Sequence, residues 1–296
     1  MDDQVDRYLG CLLGLASGDA VGTTVEFSPR GTFTAVSDMI GGGPFNLNAG
    51  EWTDDTSMAL CLAHSLVENS GFDATDQMNR YTNWYEQGYM SSNGVCFDIG
   101  NTVRAALYRY KTTGDPFSGA IDPNTAGNGS IMRLAPIPMF YSPDVEKMIH
   151  FAGESSRTTH GAAECVDACR LFAVMIHLAL TGADKEAILT QTIYTPTTPK
   201  IQAIAQGAYR NKSIDDIAGS GYVVASLEAA LFCFDKTDNY QDAVLMATNL
   251  GDDADTTAAE VGQLAGAFYG KSGIPQTWLD KVVMREEIAE LARRMM

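Results

Sequence analysis

The sequence predicts an all-α fold with long loops, on three observations. Segment after segment repeats apolar residues at the spacing of a helix face. Convincing strand alternation is missing, and its best candidate, residues 32–36, is short. Glycine-rich passages at 31–50 and 90–100 separate the helical runs, while no Ser-, Pro- or charge-rich linker divides the chain. One domain spanning 1–296 is therefore expected, with its loops gathered around the acidic residues described below.

Residues 5–16 read as the first helix, with Tyr8, Leu9, Leu12, Leu13 and Leu15 crowding one side. Gly10 and Gly14 leave room for a close neighbour. Gly18-Asp19-Ala20-Val21-Gly22 is expected to break that helix, and Glu26 follows in a short extended piece. The loop at 31–50, with Gly41-Gly42-Gly43-Pro44, is longer than a connection needs, which is common where loops carry function. Helices are expected at 56–68, 76–87 and 101–110, then a turn-rich stretch at 113–126. Gly127-Asn128-Gly129-Ser130 is expected to open a helix over 131–140, shortened or kinked by Pro136 and Pro138. After a helix at 144–155, residues 162–180 are apolar nearly all round, the mark of a central buried helix. Further helical runs are read at 184–193, 199–209, 222–234, 240–249, 255–269 and 275–293.

Composition excludes several classes of function. A net charge of −17 repels nucleic acid and anionic membranes, so neither is an expected partner. It also means that an anionic substrate needs a local device such as metal, arginine or helix ends. The six cysteines are scattered through apolar segments. Cys165 and Cys169 stand one helical turn apart, but no second Cys or His pair completes a zinc pattern, so all six are expected as reduced core thiols. The opening Met1-Asp2-Asp3-Gln4 lacks the basic and apolar regions of a signal peptide. The most apolar stretch, 171–180, is too short and too polar-flanked to span a bilayer. A cytoplasmic monomer without membrane insertion is the expectation.

Two runs stand out: Glu51-Trp52-Thr53-Asp54-Asp55-Thr56-Ser57 and Asp252-Asp253-Ala254-Asp255-Thr256-Thr257. Each directly precedes a helical pattern, and helix N-termini favour acids and hydroxyl caps. Capping accounts for one or two acids per helix. It does not account for five aspartates in two short runs, because close carboxylates repel unless a cation intervenes. Asp and Thr oxygens suit Mg²⁺, Mn²⁺ or Ca²⁺, and the spacing is not that of an EF-hand. The two runs are expected to meet and share divalent metal.

Other segments read two ways. Gly127–Ser130 before a helix is either a glycine turn with a cap or an anion cradle, and no lysine follows to make a Walker loop. Asp98 before residues 101–110 is either an N-cap or a loop carboxylate for acid–base chemistry, and Glu26 has the same two readings. His160 sits at a polar break between helices, whereas His64, His150 and His177 fall within helical patterns. Tyr222, after Gly219-Ser220-Gly221, either stacks on a base or staples a helix start.

Taken in order, these pieces resemble the ADP-ribosylglycohydrolase family, and within it the dinitrogenase reductase-activating type. The resemblance rests on Gly18-Asp19-Ala20-Val21-Gly22 with Glu26, on Trp52-Thr53-Asp54-Asp55-Thr56 and on Asp98-Ile99-Gly100-Asn101-Thr102. It continues through Gly127-Asn128-Gly129-Ser130-Ile131-Met132-Arg133, Thr159-His160, Gly221-Tyr222-Val223-Val224 and Asp253-Ala254-Asp255-Thr256. The resemblance implies an all-α fold, two Mg²⁺ or Mn²⁺ ions, and cleavage of ADP-ribose from an acceptor, commonly a protein side chain. It implies metal ligation by Thr53, Asp54 and Asp55 from one side and by Asp253, Asp255 and Thr256 from the other. Gly127, Asn128, Gly129 and Ser130 would hold the diphosphate and proximal ribose, assisted by His160, with Tyr222 near the adenine. Glu26 and Asp98 would sit by the scissile ribose, Asp98 being favoured as the catalytic group. One position departs: the family usually has glycine where Asp252 stands, and an extra carboxylate there either tightens metal binding or faces solvent.

The expected reaction is water attack at ribose C1″, with ADP-ribosyl-arginine on protein or a small conjugate as substrate. The rivals are a metal-dependent phosphohydrolase acting on the diphosphate, and a non-catalytic relative that binds ADP-ribose or is structural. The first usually wants Lys or Arg near the leaving phosphate. Retention of Asp54, Asp55, Asp253 and Asp255 speaks against the second.

Overall fold

Two long helices packed backbone to backbone form the axis of the molecule. The structure, a computed structural model, describes residues 3–296, so the first two residues of the N-terminal stretch read above lie outside it. In chain order the α-helices are α1 (Asp3–Gly22), α2 (Asp54–Asn69), α3 (Ala74–Gln87), α4 (Asn101–Thr113), α5 (Pro136–Tyr141), α6 (Val145–Thr159) and α7 (Ala163–Leu180). Then follow α8 (Lys185–Leu189), α9 (Pro199–Ala205), α10 (Val223–Asp235), α11 (Tyr240–Thr248), α12 (Ala254–Tyr269), α13 (Gln276–Leu279) and α14 (Arg285–Arg294). Among the described residues β-structure is limited to isolated bridges, such as Gly127 with Tyr222. No helix among the described residues is long and apolar enough to cross a membrane.

Helix α1 does not break at Gly18, contrary to expectation; it continues to Gly22. The glycines are one stripe at four-residue spacing, and α12 runs antiparallel along it. A Cβ at Gly10, Gly14, Gly18 or Gly22 would meet the carbonyl oxygen of Gly266, Gly262, Ala258 or Ala254 at 2.2, 2.4, 2.2 and 2.5 Å. Each helical glycine costs roughly 0.5–1 kcal/mol relative to alanine. Here that cost is offset by a backbone approach that no larger residue permits. The contact ends at Gly22 and Ala254, beside Glu26 and Asp253, so it sets the distance between the two ends that carry acids.

Around this pair, α7 is buried along most of its length, as its apolar sequence predicts, and the core runs through α1, α2, α5, α7, α10, α11 and α12. A smaller cluster of Met58, Cys61, Met78, Tyr81, Trp84, Val103, Leu107 and Met132 joins α2, α3 and α4. All six cysteines are unpaired and five are buried.

Three other expectations need correction. Residues 32–36 form no strand, because Asn249 takes the pairing: its Oδ1 accepts from Val36 N at 2.8 Å and its Nδ2 donates to Val36 O at 2.9 Å. The expected helix over 131–140 is one isolated turn at 129–133, and α5 starts only at Pro136. Buried Gln263 of α12 stabilises that interruption by accepting from Ala135 N and donating to Met132 O. The helix read over 275–293 divides into α13 and α14, with Met284 left-handed at φ 57° between them. There Val283 N donates to Gly50 O and Trp52 Nε1 to Val283 O, pinning the long 31–50 loop.

Candidate functional site

The acids lie where helices begin. Asp54 and Asp55 are the first two residues of α2 after its N-cap Thr53, and Asp253 is the N-cap of α12 with Asp255 in its first turn. Neither cap residue satisfies its own helix with its side chain. For α2 that work passes to Asp19 of α1, which is fully buried. One Asp19 oxygen accepts from the Thr53 N–H at 2.9 Å; the other accepts from the Thr56 N–H at 3.1 Å and the Thr56 hydroxyl at 2.6 Å. A cap supplied from another helix leaves the Thr53 hydroxyl and both α2 aspartates free to face inward.

The two acidic runs meet there. Thr53 Oγ1 lies 3.0 Å from Asp19 Oδ1, 3.0 Å from Asp55 Oδ2 and 3.2 Å from Asp255 Oδ2. One hydroxyl proton serves only one of those three oxygens. One oxygen each of Asp19, Asp55 and Asp255 lies within 4.8 Å of the others, as does one each of Glu26, Asp98 and Asp255. Asp55 Oδ1 and Asp255 Oδ1 are buried with no hydrogen-bond partner among the described residues. Burial, reinforced by neighbouring carboxylates, holds Asp54, Asp55 and Asp255 well above the ordinary carboxylate range. Orphaned, mutually repelling oxygens with no thiolate or imidazole among them are a donor set for a hard cation.

A cavity of about 400 Å³ opens over this cluster, walled by Glu26, Phe27, Asp54, Asp98, Gly127, Asn128, Gly129, His160, Asp253, Asp255 and Thr256 among others. Burial, reinforced by neighbouring carboxylates, raises both Glu26 and Asp98 above the ordinary carboxylate range. Asp98 is left-handed, at φ 58°. Asn128 Nδ2 donates to Asp253 Oδ2 at 2.5 Å and to Ser226 Oγ at 3.2 Å, tying the glycine loop to the second acidic run. The loop is no helix N-terminus, so the dipole argument for an anion cradle fails there. The Gly129 and Ser130 N–H groups nonetheless donate to no backbone carbonyl.

The family model for ADP-ribosylglycohydrolase matches residues 1–296. The chain belongs to that family. It is 49% identical over 294 residues, 99% of this chain and 79% of the relative, to a Pseudomonas putida protein named ADP-ribosylarginine hydrolase Tri1. It is 32% identical over 289 residues, 95% of this chain and 92% of the relative, to a Rhodospirillum rubrum ADP-ribosyl-[dinitrogen reductase] glycohydrolase. A solved structure titled ADP-ribosylglycohydrolase-related protein complex superposes with a TM-score of 0.88 at 42% identity, covering 100% of this chain and 98% of that one. This ADP-ribosylglycohydrolase is thus a hydrolase of nearly all-helical fold.

Not every expected residue reaches the cavity wall. The Ser130 hydroxyl points into the core, accepting from Ser156 Oγ at 2.9 Å and Cys169 Sγ at 3.5 Å. Thr53 and Asp55 lie behind the wall, fully buried. Tyr222 borders a neighbouring hollow that shares Gly127 with the cavity; its hydroxyl donates to Glu164 and accepts from Lys200. Asp252 faces solvent. Its φ of 55° explains why glycine suits the position, and it removes the side chain as a ligand.

His160, although it sits at a polar break between helices, is as buried as His177 within one. Its ring packs against the loop, where a Cβ at Gly129 would come within 2.7 Å of it. Thr159 Oγ1 accepts from Arg133 Nη2 at 2.7 Å and lies 2.9 Å from His160 Nδ1. A guanidinium only donates, and the Thr159 proton has no other acceptor among the described residues, so Thr159 donates to Nδ1. The proton of the neutral ring is therefore on Nε2, on the cavity side. Burial, with Arg133 nearby, lowers His160 to about 3 and keeps it neutral.

The reading from residues alone missed Asp19, Thr56 and Arg133 as parts of this site. Arg133 is fully buried with no ion pair among the described residues, donating to Gly129 O at 2.7 Å and lying 4.6 Å over the Tyr81 ring. The available signal for Asp19 was an aspartate amid Leu12, Leu13, Leu15, Ala16, Ala20 and Val21.

Proposed function

We propose that this chain hydrolyses the N-glycosidic bond joining ADP-ribose to a modified arginine, on a protein or a small conjugate, using two divalent cations, Mg²⁺ or Mn²⁺. The observation that carries the reading is the convergence of buried carboxylates with orphaned oxygens on Asp55 and Asp255, beneath a cavity lined by Glu26 and Asp98. The name of the Pseudomonas putida relative supports arginine as the acceptor. Thr53, Asp54 and Asp55 would hold the cations from the α2 side, and Asp253, Asp255 and Thr256 from the α12 side. Bound there, the cations would supply Lewis-acid polarisation of the sugar and make water nucleophilic at neutral pH.

The protein groups do the rest. The Gly127, Asn128 and Gly129 backbone with His160 Nε2–H binds the diphosphate and proximal ribose, and Ser130 contributes through its main-chain N–H. Tyr222 lies by the adenine. Asp98 takes the proton of the water that attacks C1″, while Glu26, which burial favours in its protonated form, donates one to the departing guanidine nitrogen. We take the chain to act as a monomer in the cytoplasm, a reducing compartment that unpaired cysteines suit.

The test is incubation with ADP-ribosyl-arginine, ADP-ribosyl-serine and free ADP-ribose, with Mn²⁺, Mg²⁺ or EDTA. Metal-dependent release of ADP-ribose from arginine is expected. Release of AMP would point instead to a phosphohydrolase, and tight ADP-ribose binding without turnover to a non-catalytic protein.

A further inference from the structure

Beside Glu26, at the mouth of the cavity, three phenylalanines from separate segments meet. Phe27 and Phe45 lie edge to face with centroids 6.4 Å apart, and Phe45 and Phe97 lie 5.2 Å apart. Phe27 borders the cavity yet is 63% exposed, and its φ is 60°. A bulky residue keeps that left-handed conformation only when its neighbours impose it. They do so here: Phe27 N donates to Asp252 O at 2.7 Å, and Asp252 N donates to Ser28 O at 2.8 Å. Strain held by paired backbone bonds thus turns an aromatic ring outward, next to one carboxylate of the site, while Phe97 directly precedes the other, Asp98.

We propose that Phe27, backed by Phe45 and Phe97, is the acceptor-recognition face of the enzyme and receives the planar guanidinium of the modified arginine against its ring. The inference rests on the arginine reading above and assigns residues to it. A guanidinium is planar, weakly hydrated and cationic, and it stacks on aromatic faces. Asp98, the proton-accepting carboxylate in the wall of the same cavity, adds a field that favours a cation. A serine acceptor presents a short neutral ether and gains from neither feature. The rim therefore selects arginine by charge and shape without touching ADP-ribose.

The test compares the parent with Phe27→Leu and Phe27→Trp, in Mn²⁺, on ADP-ribosyl-arginine and ADP-ribosyl-serine peptides. The Kd for ADP-ribose is measured by calorimetry on each. Leucine keeps apolar bulk but removes the π-face, so KM for the arginine peptide should rise roughly two- to fivefold, the size of an exposed cation–π contact. Tryptophan should match or improve on the parent, while ADP-ribose affinity stays level in all three. Equal KM for parent and leucine variant, with arginine hydrolysis intact, overturns this inference alone. A parallel loss of ADP-ribose affinity also overturns it, by placing Phe27 against the nucleotide. If the parent releases nothing from arginine, the arginine reading fails and this inference fails with it.

Discussion

The two halves of the site are built differently. The half beneath the cavity stands on helix ends: Asp19 on α1, Asp54 and Asp55 on α2, and Asp255 on α12, with α1 and α12 locked by a glycine-lined contact. The half above it stands on loops: Glu26, Phe27 and Asp98 lie outside the α-helices, and the latter two hold left-handed backbones. Repelling carboxylates need rigid support, because any slack lets them move apart and expose themselves to water. Groups that meet a variable acceptor gain from loops, whose geometry changes without disturbing the core.

The sharpest way to break the helix-borne half is Asp255→Ala. We expect about a thousandfold loss of metal-dependent turnover, several kcal/mol of transition-state stabilisation, with the helical circular dichroism preserved. Parent rates in this variant would remove the metal assignment. Next comes the packing that positions these acids. Gly18→Leu drives a side chain into the Ala258 carbonyl, 2.2 Å from the new Cβ. It should cost about 3 kcal/mol in denaturant unfolding, and an unchanged midpoint would mean that the close contact is not what holds Asp19 beside Asp255.

The loop-borne half should respond in rate and keep its fold. Asp98→Asn is expected to lower kcat about a hundredfold, the size of a general acid–base contribution, with ADP-ribose affinity nearly kept. A pure affinity loss would count against its catalytic role. A smaller effect is expected at the joint between the halves. Thr159→Val removes the hydroxyl that fixes the His160 proton on Nε2, and ADP-ribose should bind about tenfold more weakly, as for one lost hydrogen bond. Nitrogen NMR of the ring would show a mixed tautomer; a ring still protonated on Nε2 alone would refute the relay.

The mildest contrast is pH dependence without metal. Burial raises Asp19 to about 6 and Asp98 to about 7, so between pH 4 and 7 the folded state binds more protons than the unfolded one. Stability of the EDTA-treated protein should therefore fall as pH rises through that interval. Saturating Mn²⁺ should flatten the slope, because a cation replaces the protons. An EDTA-treated protein that melts at one temperature throughout that range would contradict the reading of the cluster as uncompensated.

Much of this was legible before the structure. Thr53-Asp54-Asp55 and Asp253-Ala254-Asp255-Thr256 announce helix starts with more carboxylates than capping uses, and the apolar run of α7 announces its burial. The misreadings share one cause. Gly18 and Gly22 look like helix breakers because local propensity penalises glycine, yet α12 lies against that stripe. Residues 131–140 look helical because nothing local reveals that Gln263 occupies their backbone groups. Asp19 was passed over because the groups it caps, at Thr53 and Thr56, lie more than thirty residues away.

The sequence by itself determined the all-helical class, the acid-bearing helix starts and the family, since each depends on residue type and order within short segments. Tertiary structure alone decided that Asp19 caps a foreign helix, that Asp252 leaves the site and that His160 presents a proton to it. Those outcomes depend on distances between segments remote in the chain, and the glycine-lined contact of α1 with α12 sets the first of them.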